Sequence, residues 1–376
     1  MTESLEQLNP NMVTLSSLGW GQGVVCLVCH NCDWRFLVGT GNIPQECPHC
    51  HAPQLAQYLE EDFSQMEDFI KPPELHLPFS FPQAQLTEKI QNFAKNIPFA
   101  PDDLRLDNLQ NRLQKIYLPL WLVDSQVSAT WQSECGYYYQ VKSHQEKYSG
   151  GRWQTQEVIE TRTRWEPRLG RLERSYHNIA APALEEHRPL MAALGIYEYK
   201  KAQPVTPQSL LQDATKQPLI SIPSRDKDDA WPDTLPRFQE QAVEESRQAC
   251  AADQVREFRW KPEFSNQTWT LFLLPMWSSY YLDDENKAQS ILVNGQSGQM
   301  SGTRRASMKK AKKVSLSIFI AALIAFALTV VIGLISLSVP DLTVLAGIGL
   351  VVSLVIALAA IYPIATAWNV NRDRLQ

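Results

Sequence analysis

The chain has little that would mark a nucleic-acid packer, a secreted protein or a common hydrolase. Its formal net charge is -5 and its pI is near 5.9, which argues against bulk electrostatic attachment to nucleic acid. Met1 to Pro10 has neither a basic nor an apolar stretch. It does not read as a secretory signal, so the body is expected to start in the cytoplasm. G-x-x-x-x-G-K-[ST], H-E-x-x-H and G-x-S-x-G are all missing, which removes support for a nucleotide-driven motor, a zinc protease or a serine hydrolase. His144-Gln-Glu146 matches a zinc-deaminase fragment, but the downstream P-C-x-x-C that must accompany it is absent.

Charge is also missing from the C-terminal end. Between Lys313 and Arg372 the single charged residue is Asp341. Residues 314–339 and 342–368 each exceed the roughly 20 apolar residues that cross a hydrocarbon core, and Pro340-Asp341 supplies a turn between them. Neither span carries an ionisable residue, which disfavours an ion or proton path. Gly347 and Gly349 could admit close helix packing, so the pair reads as an anchor with a dimerisation face for a homo-oligomer. Arg304, Arg305, Lys309, Lys310, Lys312 and Lys313 precede the first span; Arg372 and Arg374 follow the second. Positive flanks on both outer ends place both termini and the body in the cytoplasm. The six-cation segment, 304–313, either sets topology alone or also holds anionic lipid headgroups.

Cysteine is sparse except in one place. Of seven, five lie within residues 26–50, and Cys135 and Cys250 stand apart, where they read as small buried hydrophobes. Cys29-His30-Asn31-Cys32 and Cys47-Pro48-His49-Cys50 are two C-x-x-C knuckles. Four thiolates converging from two tight turns make a closed tetrahedral site, so one structural Zn²⁺ is expected on Cys29, Cys32, Cys47 and Cys50. Cys26 is an alternative, because Cys26-x-x-Cys29 is also a legal knuckle. His30, His49 and His51 are expected to face solvent or to sit behind the ligands.

The fold class expected is α+β: an N-terminal zinc ribbon (1–53), an acidic, proline-containing linker (54–82), a β-rich body with flanking helices, and the two-helix hairpin. Within the body, 83–200 reads as a first α+β half, 201–236 as a polar connector, and 237–303 as a second half. Helices are expected at 83–96, 102–115, 183–194 and 238–258. Strands are expected at 117–139, at 157–165 with a return at 171–179 after a Leu169-Gly170 turn, at 269–282 and at 290–293. Asn294-Gly295 signals a tight hairpin turn. Leu118-Pro-Leu-Trp121 and Leu274-Pro-Met-Trp277 hint at an internal repeat, which coincidence explains nearly as well.

Arg162, Arg164, Arg168, Arg171 and Arg174 would cluster on one hairpin near Trp165. They form either a single-strand nucleic-acid surface or a solvated face balanced by Glu160, Glu166 and Glu173. The knuckles, Leu-Pro-Leu-Trp121, Thr-Arg-Thr-Arg-Trp165-Glu-Pro, Leu-Pro-Met-Trp277 and Leu-Val-Asn-Gly-Gln-Ser-Gly298 together resemble a family of bacterial zinc-ribbon proteins. These are labelled transcription-factor-B-type zinc-ribbon or, by loose analogy, primosomal protein N-prime-like. The resemblance implies the bacterial inner membrane but no established activity, and without a phosphate-binding loop the helicase label does not transfer. The expected function is therefore a membrane-anchored adaptor for a protein partner. The alternative is a nucleic-acid binder using Arg162, Arg164, Trp165 and Arg171, and an unrecognised enzyme is the residual reading.

Overall fold

The computed structural model describes residues 15–372 except 42, 54, 59–62, 64–65, 150, 212–216 and 338–341. The expected Pro340-Asp341 turn, the linker acids at 60–62, and Arg374 lie outside the described residues. In chain order the elements are β1 (Val24–Cys29), β2 (Arg35–Gly39), β3 (Leu55–Gln57), β4 (Leu75–His76), α1 (Gln83–Lys95), α2 (Leu106–Asn111), β5 (Gln114–Ser149) and β6 (Arg152–Pro182). They continue with α3 (His187–Leu194), β7 (Gln203–Pro204), α4 (Pro207–Leu211), β8 (Leu219–Ser221), α5 (Lys227–Ala249), β9 (Gln254–Leu282), β10 (Ala288–Asn294) and β11 (Met300–Gly302). The apolar α6 (Met308–Ser336), α7 (Thr343–Ala359) and α8 (Ile361–Arg372) follow.

A single sheet runs through most of these elements in the order β11-β10-β9-β5-β8-β2-β1-β3, with β6 on β5 and β4 joining β7 and β9. The expected ribbon is therefore part of the body's sheet, joined where Phe36 and Leu37 of β2 pair with Ser221 and Ile220 of β8. Segment 54–82 is not a free linker. It contributes β3 and β4, and Ile70 and Leu77 are almost fully buried. The 201–236 connector likewise supplies β7, α4, β8 and the start of α5.

The two Leu-Pro-x-Trp motifs lie side by side. Leu118 pairs with Leu274 and Pro119 with Leu273 in the antiparallel β5–β9 ladder. Leu118 and Leu274, which open the two motifs, thus meet in adjacent antiparallel strands, with α2 preceding β5 and α5 preceding β9.

β5 has 36 residues, a contour of roughly 120 Å at about 3.3 Å per residue. The expected turn at Leu169-Gly170 does not occur. β6 is continuous across it, and the chain reverses near Gly151, whose φ of 81° suits a turn. Gly170 instead faces Trp131 across the ladder, and a Cβ there would come within 2.8 Å of the indole. On the opposite face Gly136 receives Trp165 with the same 2.8 Å clearance. Glycine is present at both positions because a large ring lies over the backbone of the neighbouring strand. Gly170→Ala is expected to lower stability by about 1–3 kcal/mol, because overpacking against Trp131 outweighs the usual gain of alanine over strand glycine. A drop in the urea midpoint at unchanged slope checks this.

α5 starts eleven residues earlier than expected, at Lys227, and stops at Ala249. Pro232 and Pro236, in the expected connector, lie inside this helix. Asp226 caps the helix, accepting from Asp229 N at 2.7 Å, and Ala230, Thr234, Phe238, Ala242 and Ser246 are buried at every fourth position. Phe238 and Ala242 of that stripe pack with Val127, Ala129, Trp131, Leu172 and Tyr176, and Ala230 with Trp121, Ala181 and Leu271. The stripe's burial outweighs the few kcal/mol that an internal proline costs. The expected helix at 102–115 shrinks to α2, because Gln114 and Lys115 enter β5. Asn294-Gly295 opens a longer loop closed by Asn294 N to Gln299 O at 2.8 Å, in place of a two-residue turn.

Asp103 fastens α2 to the end of β9. It accepts from Leu282 N at 2.7 Å and Asn108 Nδ2 at 2.9 Å, and pairs with Arg112. Burial alone would raise its carboxyl, but Arg112 and the amides outweigh this and hold it below the usual carboxylate range. Its stabilisation is thus present at neutral pH and fades as pH falls from the ordinary carboxylate value toward the lowered one. Asp103→Asn is expected to cost about 1–3 kcal/mol at pH 7, with the difference from wild type shrinking in urea titrations at acid pH.

α6 and the α7–α8 pair are long and apolar enough to cross a membrane, and only 11% of each span's apolar window is buried within the protein. A core helix of a soluble protein would be covered. A Cβ on Gly349 would meet Thr329 at 2.6 Å, so this glycine does admit close α6–α7 approach, whereas Gly347 has open space around it. At the base, Asn371 of α8 exchanges two hydrogen bonds with Ala306 before α6, at 2.9 and 3.1 Å. Both outer ends of the apolar pair are thereby held together against the body.

Candidate metal centre

The two knuckles fold alike. Asp33 N bonds to Cys29 O at 2.8 Å and His51 N to Cys47 O at 2.9 Å, while Cys29 N bonds to Trp34 O and Cys47 N to Ala52 O. Asp33 and His51, each directly after the second cysteine of its knuckle, take φ near 60°. These turns bring Cys29, Cys32, Cys47 and Cys50 together with all sulfurs within 4.8 Å of one another. Cys29 to Cys50 is 3.5 Å and Cys32 to Cys47 is 3.7 Å. Metal–sulfur bonds of ~2.3 Å in a tetrahedron place sulfurs about 3.8 Å apart, so the four cysteines are close enough to hold a metal ion.

Cys26 lies outside this four-sulfur group. It lies on β1 opposite Leu37, 1% exposed, in a separate apolar cluster with Leu15, Trp20 and Ile220. Burial, then the charge of the neighbouring sulfurs, pushes the Cys47 thiol up to about 12 and raises Cys32 also. Four thiolates crowded this closely need a cation to be stable.

The histidines do not all face solvent. His30 is exposed. His49 stacks on Trp34 at 3.9 Å and pairs with Glu186 at 2.8 Å. His51 stacks on Tyr280 of β9 and meets Ser290 Oγ of β10 at 2.9 Å. With Ser278 Oγ donating to Pro48 O at 2.8 Å and Tyr280 Oη to Glu46, they fix the second knuckle to the body. A cleft of about 380 Å³ opens beside Cys32, lined in part by Trp34, Arg35, Glu185, Glu186 and Ser224.

The arginines expected on one hairpin do not form one cluster. Arg162 pairs with Glu160, Arg164 and Arg168 both pair with Glu166, and Arg174 pairs with Glu245 of α5. Strand alternation puts Arg171 and Trp165 on the opposite face. There they meet three cations of β9 that the sequence reading did not single out: Arg256, whose guanidinium lies 4.0 Å over the Trp165 ring, Arg259 and Lys261. Their sequence signal was the run Arg256-Glu-Phe-Arg-Trp-Lys261, but the register that brings it to Arg171 joins segments some 90 residues apart.

Four of the six juxtamembrane cations have partners within the chain. Lys310 pairs with Asp102 at 2.9 Å, Lys309 Nζ donates to Asp284 O, Arg305 reaches Asn371 O, and Arg304 lies over Phe93. Lys312 and Lys313 are exposed at the start of the apolar span. Cys135 is fully buried and Cys250 partly so. Burial first, then Cys135 beside it, pushes the Cys250 thiol up to about 11, which makes it a poor nucleophile at neutral pH.

No family model, curated protein or solved structure matches this chain.

Proposed function

We propose that the chain is a membrane-anchored adaptor that recruits a protein partner. The observation that carries this reading is the β-arm. Beyond Gly136, where the β9 ladder ends, β5 and β6 continue as a two-stranded hairpin with Tyr148 60% and Trp153 67% exposed at its tip. A two-stranded hairpin is marginal alone in water, and large rings at its end are typical anchors for a protein contact.

Zinc on Cys29, Cys32, Cys47 and Cys50 completes the proposal. With every position taken by protein sulfur, the metal would hold the first three strands against β9 and β10 and leave no site for a substrate. The apolar helices would insert with both ends and the body on the cytoplasmic side, consistent with the basic flanks. Lys312 and Lys313 would then be the residues left to meet anionic headgroups. The resemblance to bacterial zinc-ribbon proteins agrees with this arrangement.

The test is a pull-down from solubilised membranes with the full chain as bait and the apolar helices alone as control. A partner should be retained by wild type and lost from a Tyr148→Ser/Trp153→Ser chain that still binds metal. A wild-type chain that retains nothing above the control would overturn the reading.

A further inference from the structure

The three-stranded part of the arm has two unlike faces. α5 covers one, and the other is open. Along the open face the register forms cross-strand rows: Arg171, Thr130 and Lys261, then Leu169, Gln132 and Arg259. A bulge at Glu257, whose φ is 51°, shifts the β9 register so that Arg256 lines up with Glu134 on the same face as Arg259. The rows border a concavity of about 590 Å³. Leu169, 86% exposed, stands at its rim.

The charges around this concavity are unequal. Glu134 is engaged by Arg256 at 2.6 Å. Glu173 and Glu263 lie one row further on, flanking Ser128. Arg171, Arg259 and Lys261 are exposed and belong to none of the ion pairs among the described residues. Three cations, the Thr130 hydroxyl and the Gln132 amide thus converge on one shallow site with an apolar edge.

We propose that this face docks an extended acidic segment of the partner protein, with Asp or Glu carboxylates on Arg171, Arg259 and Lys261 and an apolar residue against Leu169. This rests on the adaptor reading and names the chemistry of its partner. Guanidinium groups bind carboxylates through two parallel hydrogen bonds. Single-stranded nucleic acid also needs a free ring to stack on, and the two tryptophans that border the concavity, Trp131 and Trp260, do not present one. Arg256 covers Trp165, while Trp131 and Trp260 turn to the α5 side, against Phe258 and Phe264.

The experiment uses the full metal-loaded chain in detergent and two fluorescent probes, an oligo-glutamate peptide and an oligothymidylate of matched charge. The peptide should bind in a salt-sensitive manner. Affinity should fall about tenfold or more in Arg171→Glu/Arg259→Glu, since each lost charge pair is worth up to a factor of several and each reversal adds repulsion. The charge-matched Lys95→Glu/Lys200→Glu chain should bind as wild type does. Because the four positions are exposed, an unchanged melting curve verifies folding of both variants. Tighter binding of the oligothymidylate, lost in the same variant, would overturn the proposal in favour of nucleic acid. Equal peptide binding by both variants, or none by wild type, would overturn it outright. The membrane pull-down separates the two levels. A partner still retained by Arg171→Glu/Arg259→Glu removes this site and leaves the adaptor standing, whereas no partner for wild type removes the adaptor itself.

Discussion

A Cys47→Ser chain is expected to lose the proposed zinc and with it the attachment of the second knuckle to β9. Cys47 has no exposed surface and its sulfur sits 3.7 Å from that of Cys32. Serine is a far weaker ligand for a thiolate-preferring ion and would leave a buried hydroxyl in its place. Structural zinc in small domains is held with about 10–16 kcal/mol, as much as the whole folding stability of a typical domain. Here β1 and β2 also belong to a large sheet, so the loss should appear as local opening of residues 24–57 before global unfolding. Hydrogen exchange should show that segment deprotected while β5 and β9 stay protected. Cys26→Ser is the control. It places a hydroxyl in an apolar cluster and should cost about 1–3 kcal/mol, yet retain one metal per chain.

The second large effect concerns the apolar helices. Leu323 and Val351 are each more than half exposed on α6 and α7, so in a membrane both would face lipid. An arginine in the middle of a span costs roughly 2.5–3.5 kcal/mol by insertion measurements. Leu323→Arg/Val351→Arg should therefore move much of the protein from the alkali-resistant membrane pellet into the soluble or degraded fraction. Lys312→Ala should leave the pellet unchanged. If the double variant remained in the pellet as wild type does, these helices would not be the anchor.

What could be read in the sequence was what is local. The knuckles are set by spacing within four residues, and the structure brings Cys29, Cys32, Cys47 and Cys50 to metal-holding distances. The apolar spans follow from composition alone. Errors arose where long-range packing overrides a local signal. Gly170 reads as a turn until Trp131, 39 positions away, is seen lying over it. Residues 227–236 read as the end of a polar connector until the buried stripe around Phe238 is counted. Arg162 and Trp165 look like neighbours in a motif, but a strand sends them to opposite faces. The cations that join Trp165 and Arg171 come from β9, and nothing near Arg171 in the sequence predicts that register.

We propose a closed four-sulfur zinc centre that braces the strands of a membrane-anchored binding protein and leaves no open coordination position. X-ray absorption at the zinc edge on the full chain purified from membranes tests it most directly. One zinc per chain with four sulfurs at about 2.3 Å and no light-atom ligand is expected. A shell containing water oxygen or histidine nitrogen would open a coordination position, contradict the closed centre, and return the site to the candidates for catalysis.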